Sequence, residues 1–255
     1  MDIYTLYALY ATLFTWGLTI LGSSMVFFFK KINKNVMDIS LGLAAGIMMS
    51  ASFFSLLNPA ITSALNNHQK PYIIVSLGFI IGGLFIYLAD ITFNHYLSKN
   101  NLGNKRLWLM ILSITLHNIP EGLAVGIAFG SIRYGLNDIT LLNASLLALA
   151  IGLQNFPEGT AISLPLRREK WSLSKSFLYG SLSAIVEPIF GVIGALLTLK
   201  LNTLMPLFLS FAAGAMIYVI VEELIPESQT NKNKSLMAIM TLIGFIIMMI
   251  LDISL

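Results

Sequence analysis

The sequence predicts an all-α integral membrane protein with eight transmembrane helices, on the basis of its composition, its apolar segments and the placement of its basic residues. Apolar residues make up 56% of the 255 positions and charged residues only 11%, with a mean hydropathy of +0.82. A soluble domain carries about 25% charged residues. Lipid is therefore expected to surround most of the chain.

The apolar segments define the spans. A helix needs about 20 apolar residues to cross a hydrocarbon core of about 30 Å. The polar clusters between such segments place the spans at 4–29, 36–58, 71–93, 107–131, 140–165, 175–199, 203–226 and 235–254. No connecting segment is long enough for a soluble domain, so residues 1–255 are expected to form one transmembrane domain. The first segment has no basic leader or small-residue cleavage site and is interpreted as a retained helix.

The basic residues predict the orientation in the cell membrane. Twelve of the fifteen Lys and Arg fall in the loops between spans 1–2, 3–4, 5–6 and 7–8. The other three are Lys70, Arg133 and Lys200. By the positive-inside rule the twelve face the cytoplasm and both termini lie outside. The net charge of +3 sits in short loops and gives no indication of nucleic-acid binding.

A short internal repeat predicts how the spans are arranged. Residues 44–48 read Ala-Ala-Gly-Ile-Met, and residues 212–216 read Ala-Ala-Gly-Ala-Met, at an offset of 168. Spans 2 and 7, which contain these segments, run in opposite directions and both end near a proline. This favours an inverted repeat of spans 1–3 and 6–8 around spans 4 and 5. The alternative is ordinary helix packing through small residues.

A second repeat places polar groups inside spans 4 and 5. His117-Asn118-Ile119-Pro120-Glu121-Gly122 recurs 37 residues later as Gln154-Asn155-Phe156-Pro157-Glu158-Gly159, with four of six positions identical. His117 and Glu121 are four residues apart, as are Gln154 and Glu158, so each pair shares one helix face. Each proline frees a backbone carbonyl. The two glycines are expected to let the two helices approach each other closely.

Carboxylates at membrane depth indicate a functional path, since a charge there costs about 3 kcal/mol or more. The candidates are Glu121, Glu158, Glu187 and Glu223, with Asp90 and Glu222 nearer helix ends. No Lys or Arg lies mid-span, so these carboxylates either hold protons or surround a cation. The nearby imidazole and amides favour the cation.

The donor types indicate the kind of ion. The chain has no cysteine, which excludes thiolate sites. Imidazole with carboxylate suits zinc, iron(II) and manganese better than alkali metals. Met48 in span 2 offers a thioether as a soft ligand. His68 and His95 fall in predicted loops and are interpreted as surface residues. Glu187 has a structural alternative as a hydrogen-bonding group, although the Glu187-Pro188 step predicts a broken helix directed at the site.

These features resemble the ZIP family (Zrt-, Irt-like proteins), whose members import zinc, iron and related divalent metals. The resemblance covers essentially the whole chain and rests on the eight spans, the external termini and the paired H-N-x-P-E-G and Q-N-x-P-E-G motifs. It implies a 3+2+3 helix arrangement, a homodimer and a site at mid-membrane. It also implies alternating access, with spans 1, 4, 5 and 6 moving against spans 2, 3, 7 and 8.

The resemblance assigns metal ligands. The first position resembles His117, Glu121, Gln154 and Glu158, and Met48 matches a position that adds a ligand. The second position resembles Asn118, Glu121, Asn155, Glu158 and Glu187, with the two motif glutamates bridging. Asn155 departs from relatives that carry Asp there, which is expected to weaken the second position. No cofactor is expected, because the metal is the cargo. Zinc is favoured, and iron, manganese and cadmium fit the same donors.

The resemblance also assigns a pathway and a type of organism. Ser55 and Pro59 fall where the family lines its external entrance. Asp90, Glu222 and Glu223 fall where it lines the inward exit. The loop between spans 3 and 4 is short and holds a single histidine, His95, which fits a prokaryotic member.

Other activities are weighed against transport. The chain lacks the G-x-x-x-x-G-K-[ST] motif of an ATPase, and Asn118 follows His117 where a zincin hydrolase has a glutamate. The sequence therefore predicts no enzyme. A channel-like conduit and a metal-sensing receptor would use the same ligands and stay open as alternatives.

Overall fold

The fold is all-helical over the residues that the structure, a computed structural model, describes. These are 2–28, 34–99, 105–135, 140–198 and 202–254, and no strand occurs within them. Three lysines that contribute to the predicted orientation, Lys30, Lys31 and Lys200, lie outside these ranges.

Eleven α-helices are found in the described ranges. Their bounds are α1 Ile3–Ser24, α2 Lys34–Ala51, α3 Asn58–Asn66, α4 Pro71–Lys99, α5 Lys105–Arg133, α6 Leu141–Arg168, α7 Leu173–Leu182, α8 Val186–Leu196, α9 Met205–Val219, α10 Ile225–Ser228 and α11 Lys234–Ser254. Two π-helical segments, Ser52–Leu57 and Ile220–Leu224, continue α2 into α3 and α9 into α10. Short 3₁₀ turns follow α1 and precede α9.

Seven stretches of the described chain are long and apolar enough to cross a membrane. They are Ile3–Phe27, Lys34–Asn66, Pro71–Thr92, Met110–Arg133, Leu173–Leu196, Met205–Ser228 and Lys234–Ser254. These stretches make the chain a multi-pass membrane protein. Predicted span 5 corresponds to α6, whose 28 residues give a length of about 42 Å. It is less apolar than the others because Gln154, Asn155 and Glu158 lie in its middle.

Two predicted spans, the second and the third, end several residues earlier than the helices do in the structure. Helix α4 continues to Lys99 rather than ending at 93, so His95 lies on a helix and not in a loop, although it is exposed as predicted. Predicted span 2 ends at 58, whereas the helix runs on to Asn66. Pro59 does not end it, because the π-helical segment before it already alters the backbone hydrogen bonding that proline would disrupt.

Span 6 is broken, which confirms the prediction made from Glu187-Pro188. Helix α7 ends at Leu182 and α8 begins at Val186, with a turn between them. Proline is tolerated in the first turn of a helix because the backbone N–H groups there have no partner in the helix. The break therefore places Glu187 in the first turn of α8.

Helix α1 begins at a capped end. The Asp2 carboxylate accepts hydrogen bonds from the backbone N–H groups of Tyr4 and Thr5, both at 3.1 Å, and pairs with Arg133 at the end of α5 at 2.8 Å. Burial raises the pKa of the Asp2 carboxyl, but the hydrogen bonds from Thr5 and the charge of Arg133 outweigh it and leave the pKa lowered. The cap ties one end of α1 to α5.

Four helix pairs make the most extensive contacts. Helix α1 packs along α6 and α5 along α8, while α2 packs along α11 and α4 along α9. Glycines allow the closest approaches. A Cβ atom at Gly82 of α4 would overlap the Phe211 carbonyl of α9, and one at Gly214 of α9 would overlap the backbone of Phe79. The neighbouring Gly83 has room, with its nearest atom at 3.6 Å.

This difference gives a test of the α4–α9 contact. Gly82→Ala is expected to destabilise the protein by about 1–3 kcal/mol, because the added methyl group meets backbone that cannot rotate away. Gly83→Ala adds the same methyl group where space exists and is expected to be neutral or stabilising by up to about 1 kcal/mol. Thermal unfolding in detergent compares the two variants. Equal melting temperatures would contradict the described packing.

Candidate metal centre

The paired motifs lie at the middles of α5 and α6, and both helices continue through their motif prolines, Pro120 and Pro157. The side chains predicted for the first metal position are all fully buried: His117, Glu121, Gln154 and Glu158. The four-residue spacing puts each pair on one face of its helix, and the two faces meet in the structure. The helix contact thus encloses one imidazole, one amide and two carboxylates.

The structure brings these groups together. One ligand atom each from His117, Glu121 and Glu158 lie within 4.8 Å of one another. The Nε2 atom of His117 is 3.3 Å from Oε2 of Glu158, and Gln154 donates from Nε2 to Oε1 of Glu121. Zinc binds nitrogen and oxygen ligands at about 2.0–2.2 Å. Donor atoms at these separations fit around a single ion after small side-chain rotations.

Most nitrogen and oxygen atoms of this cluster that could bind a metal have no hydrogen-bond partner in the described part of the chain. Among the described residues none forms a hydrogen bond with either ring nitrogen of His117, either carboxylate oxygen of Glu158, Oε2 of Glu121 or Oε1 of Gln154. The 3.3 Å approach of His117 to Glu158 lacks hydrogen-bond geometry. Buried polar groups are normally paired, so these lone pairs are open to a cation.

The electrostatic field also favours a cation. The carboxylates of Glu121, Glu158 and Glu187 are close enough to interact with one another. The described ion pairs of arginine, Arg133–Asp2 and Arg168–Glu227, lie at helix ends away from this cluster. Like charges at low dielectric repel strongly, and a divalent ion among them removes that repulsion.

The residues predicted for the second position are arranged differently. Asn155 donates from Nδ2 to Oε1 of Glu187 at 2.8 Å and to the Thr15 carbonyl at 3.3 Å. The hydroxyl of Thr15 donates to Oε2 of Glu187. Asn118 donates to the Ser183 carbonyl at 3.2 Å, in the break between α7 and α8. These side chains are fully buried, but Glu187 already has two hydrogen-bond donors.

Met48 lies beside the two motif helices. It is fully buried and belongs to the same apolar cluster as Ala124 of α5 and Ala161 of α6. Each alanine is three residues beyond a motif glutamate in the sequence. Met48 is therefore part of the apolar core to which both motif helices contribute.

The motif glycines do not bring α5 and α6 together, so that expectation is wrong. A Cβ atom at Gly122 would meet the backbone of Glu187 on α8, with the nearest atom at 2.6 Å, and one at Gly159 would meet the Thr19 carbonyl on α1. The glycines instead dock each motif helix against its neighbour in span 6 or span 1. Spacing within one helix does not reveal which helix packs there.

One cavity, of about 180 Å³, contains the predicted external-entrance residues Ser55 and Pro59 together with Ala150 and Asp252. The Ser55 hydroxyl donates to Oδ1 of Asp252 at 2.6 Å. We call this the Ser55 cavity. The sequence reasoning missed Asp252, although an acidic residue within the last apolar span was a usable signal.

A second cavity, of about 230 Å³, lies at the other ends of the same helices. Its lining includes Met110 of α5, Pro165 and Arg168 of α6, and Glu223, a predicted exit residue. We call this the Glu223 cavity. The other two predicted exit residues, Asp90 and Glu222, lie near Tyr218 and not in the cavity lining.

Known proteins resemble the chain over most of its length. A family model described as ZIP Zinc transporter matches residues 101–252. Zinc transporter ZIP11 of Xenopus tropicalis is 38% identical over 98% of this chain and 97% of its own. Zinc transporter GufA of Myxococcus xanthus is 33% identical over 97% and 98%, and Zinc transporter ZIPB of Bordetella bronchiseptica is 31% identical over 93% and 77%.

The similarity to these proteins extends over the residues of the candidate centre. The matched region contains both paired motifs, and the relatives are named as transporters, so the family is one of transport proteins and not of enzymes. The alignment with the Xenopus protein extends over 328 positions, so that relative carries insertions relative to this 255-residue chain. With the buried His and Glu cluster on its fourth and fifth predicted spans, the chain belongs to the ZIP family of zinc transporters.

Proposed function

We propose that this protein carries divalent metal ions across the membrane through the centre formed by His117, Glu121, Gln154 and Glu158. The observation that carries the proposal is the buried group of His117, Glu121 and Glu158 at mid-helix. Its ligand atoms lie within 4.8 Å of one another, and most of its polar atoms have no hydrogen-bond partner among the described residues. The relatives named as zinc transporters favour zinc as the cargo. Iron(II), manganese and cadmium ions suit the same donors.

We propose eight spans in one domain, with α6 as the fifth, arranged as an inverted repeat. The offset of 168 found in the sequence also relates pairs of contacts. Asn155 donates to the Thr15 carbonyl and Asn118 to the Ser183 carbonyl, and Thr15 and Ser183 are 168 residues apart. Gly159 and Gly122 lie against Thr19 and Glu187, which have the same offset.

Helix packing supports the same arrangement. The proposed repeat relates span 1 to span 6, span 2 to span 7 and span 3 to span 8, and it relates α5 to α6. Under this relation the α1–α6 contact corresponds to the α8–α5 contact, and the α4–α9 contact corresponds to the α11–α2 contact. These are the four most extensive contacts. The π-helical segments Ser52–Leu57 and Ile220–Leu224 also begin 168 residues apart.

We infer alternating access, with spans 1, 4, 5 and 6 moving against spans 2, 3, 7 and 8. The four extensive contacts all join helices within one of these groups. The same is true of every close approach at a described helix glycine, including Gly22 to Phe156, Gly126 to Gly191 and Gly46 to Thr241. Each group is therefore interlocked internally, as two bodies in relative motion require.

Two cavities near opposite ends of α6 support a route to and from the centre. Ala150 in the Ser55 cavity is four residues from Gln154, about 6 Å along α6, and Met110 in the Glu223 cavity is seven residues from His117, about 10 Å along α5. We propose import from the Ser55 side to the Glu223 side across the cell membrane. A negative interior contributes about 4.6 kcal/mol per divalent ion at 100 mV.

Further parts of the proposal rest on the family resemblance and, for the position of the termini, on the basic residues. We propose that the protein is a homodimer in the lipid bilayer and that both termini lie outside. Met48 is a further ligand of the first position, and Asn118, Asn155 and Glu187 are the residues that an ion in the second position would meet. The pathway runs past Ser55 and Pro59 at the entrance, and past Asp90, Glu222 and Glu223 at the exit.

Uptake into proteoliposomes tests the centre. Glu121→Gln and Glu158→Gln are each expected to lower zinc uptake at least about tenfold, since each removes a buried negative ligand without changing side-chain size. Asp2→Asn makes the same chemical change outside the centre and keeps a capping residue, so its uptake is expected to equal wild type. Wild-type uptake by both glutamine variants would refute the assignment.

The same assay separates a carrier from its rivals. Saturable uptake, competed by cadmium, iron(II) and manganese ions, is the result expected for alternating access. Flux that rises linearly with concentration would instead indicate a channel-like conduit, and metal binding with no flux would indicate a receptor.

Single cysteines test the orientation, because the chain has none of its own. Lys70→Cys precedes α4 and Lys232→Cys precedes α11, and both positions are exposed. In intact cells a membrane-impermeant maleimide is expected to label Lys70→Cys only. After the cells are opened, both variants are expected to react. Labelling of Lys232→Cys in intact cells would reverse the proposed orientation.

A further inference from the structure

Glu187 differs from the two motif glutamates in its hydrogen bonding. Oxygen Oε1 accepts from the amide of Asn155 at 2.8 Å, and Oε2 accepts from the hydroxyl of Thr15. Both carboxylate oxygens thus have a donor from a different helix. In contrast, both oxygens of Glu158 and one of Glu121 have no partner among the described residues.

Thr15 takes part twice in this arrangement. Its hydroxyl donates to Glu187 and shares that hydrogen with the Thr12 carbonyl of its own helix at 3.0 Å. Its backbone carbonyl accepts from the same Asn155 amide group that donates to Glu187. Thr15, Asn155 and Glu187 close a ring of hydrogen bonds between α1, α6 and α8. All three are fully buried, so water does not compete for these bonds. The ring holds Glu187 in place without any positive charge.

The donors in this ring oppose metal binding. A cation needs carboxylate lone pairs, whereas the amide and hydroxyl hydrogens point at both oxygens of Glu187. Hydrogen bonds to a charged group stabilise a protein by more than those between neutral groups. An ion at the second position would share the oxygens of Glu187 with the amide and hydroxyl hydrogens, whose partial positive charge opposes a neighbouring cation.

We propose that Thr15 is a specificity-determining residue: together with Asn155 it holds Glu187 in hydrogen bonds, so that the centre carries one divalent ion and not two. The ion occupies His117, Glu121, Gln154 and Glu158. This inference rests on the proposed function and assigns its metal stoichiometry. It gives a role to α1, which supplies no metal ligand.

Metal stoichiometry tests the proposal. Purified protein is dialysed against cadmium ions, and bound metal per chain is measured by mass spectrometry. The absence of cysteine removes adventitious thiol binding. Wild type is expected to bind one ion per chain, and Asn155→Asp, which replaces an amide donor by a carboxylate, is expected to bind two.

Variants of Thr15 in the Asn155→Asp background isolate its role. Thr15→Val keeps the side-chain shape but removes the hydroxyl, and is expected to tighten the second ion about tenfold, the effect of one hydrogen bond to a charged group. Thr15→Ser keeps the hydroxyl and is expected to leave that affinity unchanged. Thr12→Val is the matched control, because its buried hydroxyl donates only to the carbonyls of Ala8 and Leu9 on its own helix.

Three outcomes distinguish the proposals. Two tightly bound ions in wild type would overturn the single-ion assignment, and equal second-ion affinity in the Thr15→Val and Thr12→Val variants would overturn the role of Thr15. If Glu121→Gln and Glu158→Gln in otherwise wild-type protein still bind one ion with unchanged affinity, the proposed centre itself is wrong. Size-exclusion profiles like that of wild type confirm that each variant is folded.

Discussion

The cluster of buried carboxylates at the middle of the helix bundle is the constraint on which the rest of the structure depends. Glu121 and Glu158 are buried beside His117 with most of their lone pairs unused. Burial of an unpaired charge costs far more than any single contact returns. The surrounding helices must therefore hold these groups together, and the proposed divalent ion would balance their charge when they are ionised.

Backbone contacts supply that holding force. Gly122 lets α5 approach the first turn of α8, and Gly159 lets α6 approach α1, so each motif helix is braced from outside the centre. The broken span 6 has a second use, because the turn between α7 and α8 leaves the Ser183 carbonyl free to accept from Asn118. The centre is thus positioned by main-chain contacts, which vary less than side-chain rotamers do.

The sequence predicted the membrane class and the two pairs of polar side chains that share a helix face, because both depend on local pattern. Apolar length determines a span, and a four-residue spacing puts His117 with Glu121 on one helix face. It did not predict Thr15 or Asp252, whose partners lie 172 and 197 residues away along the chain, nor the true neighbours of the motif glycines. Such contacts depend on how the helices pack. The π-helical segment before Pro59 also has no spacing signal, so the helix continued where proline predicted an end.

The glycine contacts have a mechanical consequence. The glycine contacts join helices only within each group of four spans. Among the described helices, the interface between the two groups has no comparable close approach of a glycine to a neighbouring backbone. The apolar cluster to which both groups contribute includes alanines and methionines such as Ala45, Ala161, Met48 and Met216. The alanine side chain is short and projects little from its helix, and the methionine side chain changes rotamer readily. In the proposed motion, only side-chain packing at the interface between the two groups would resist their relative displacement. The backbone contacts would keep each group rigid while it moves past the other.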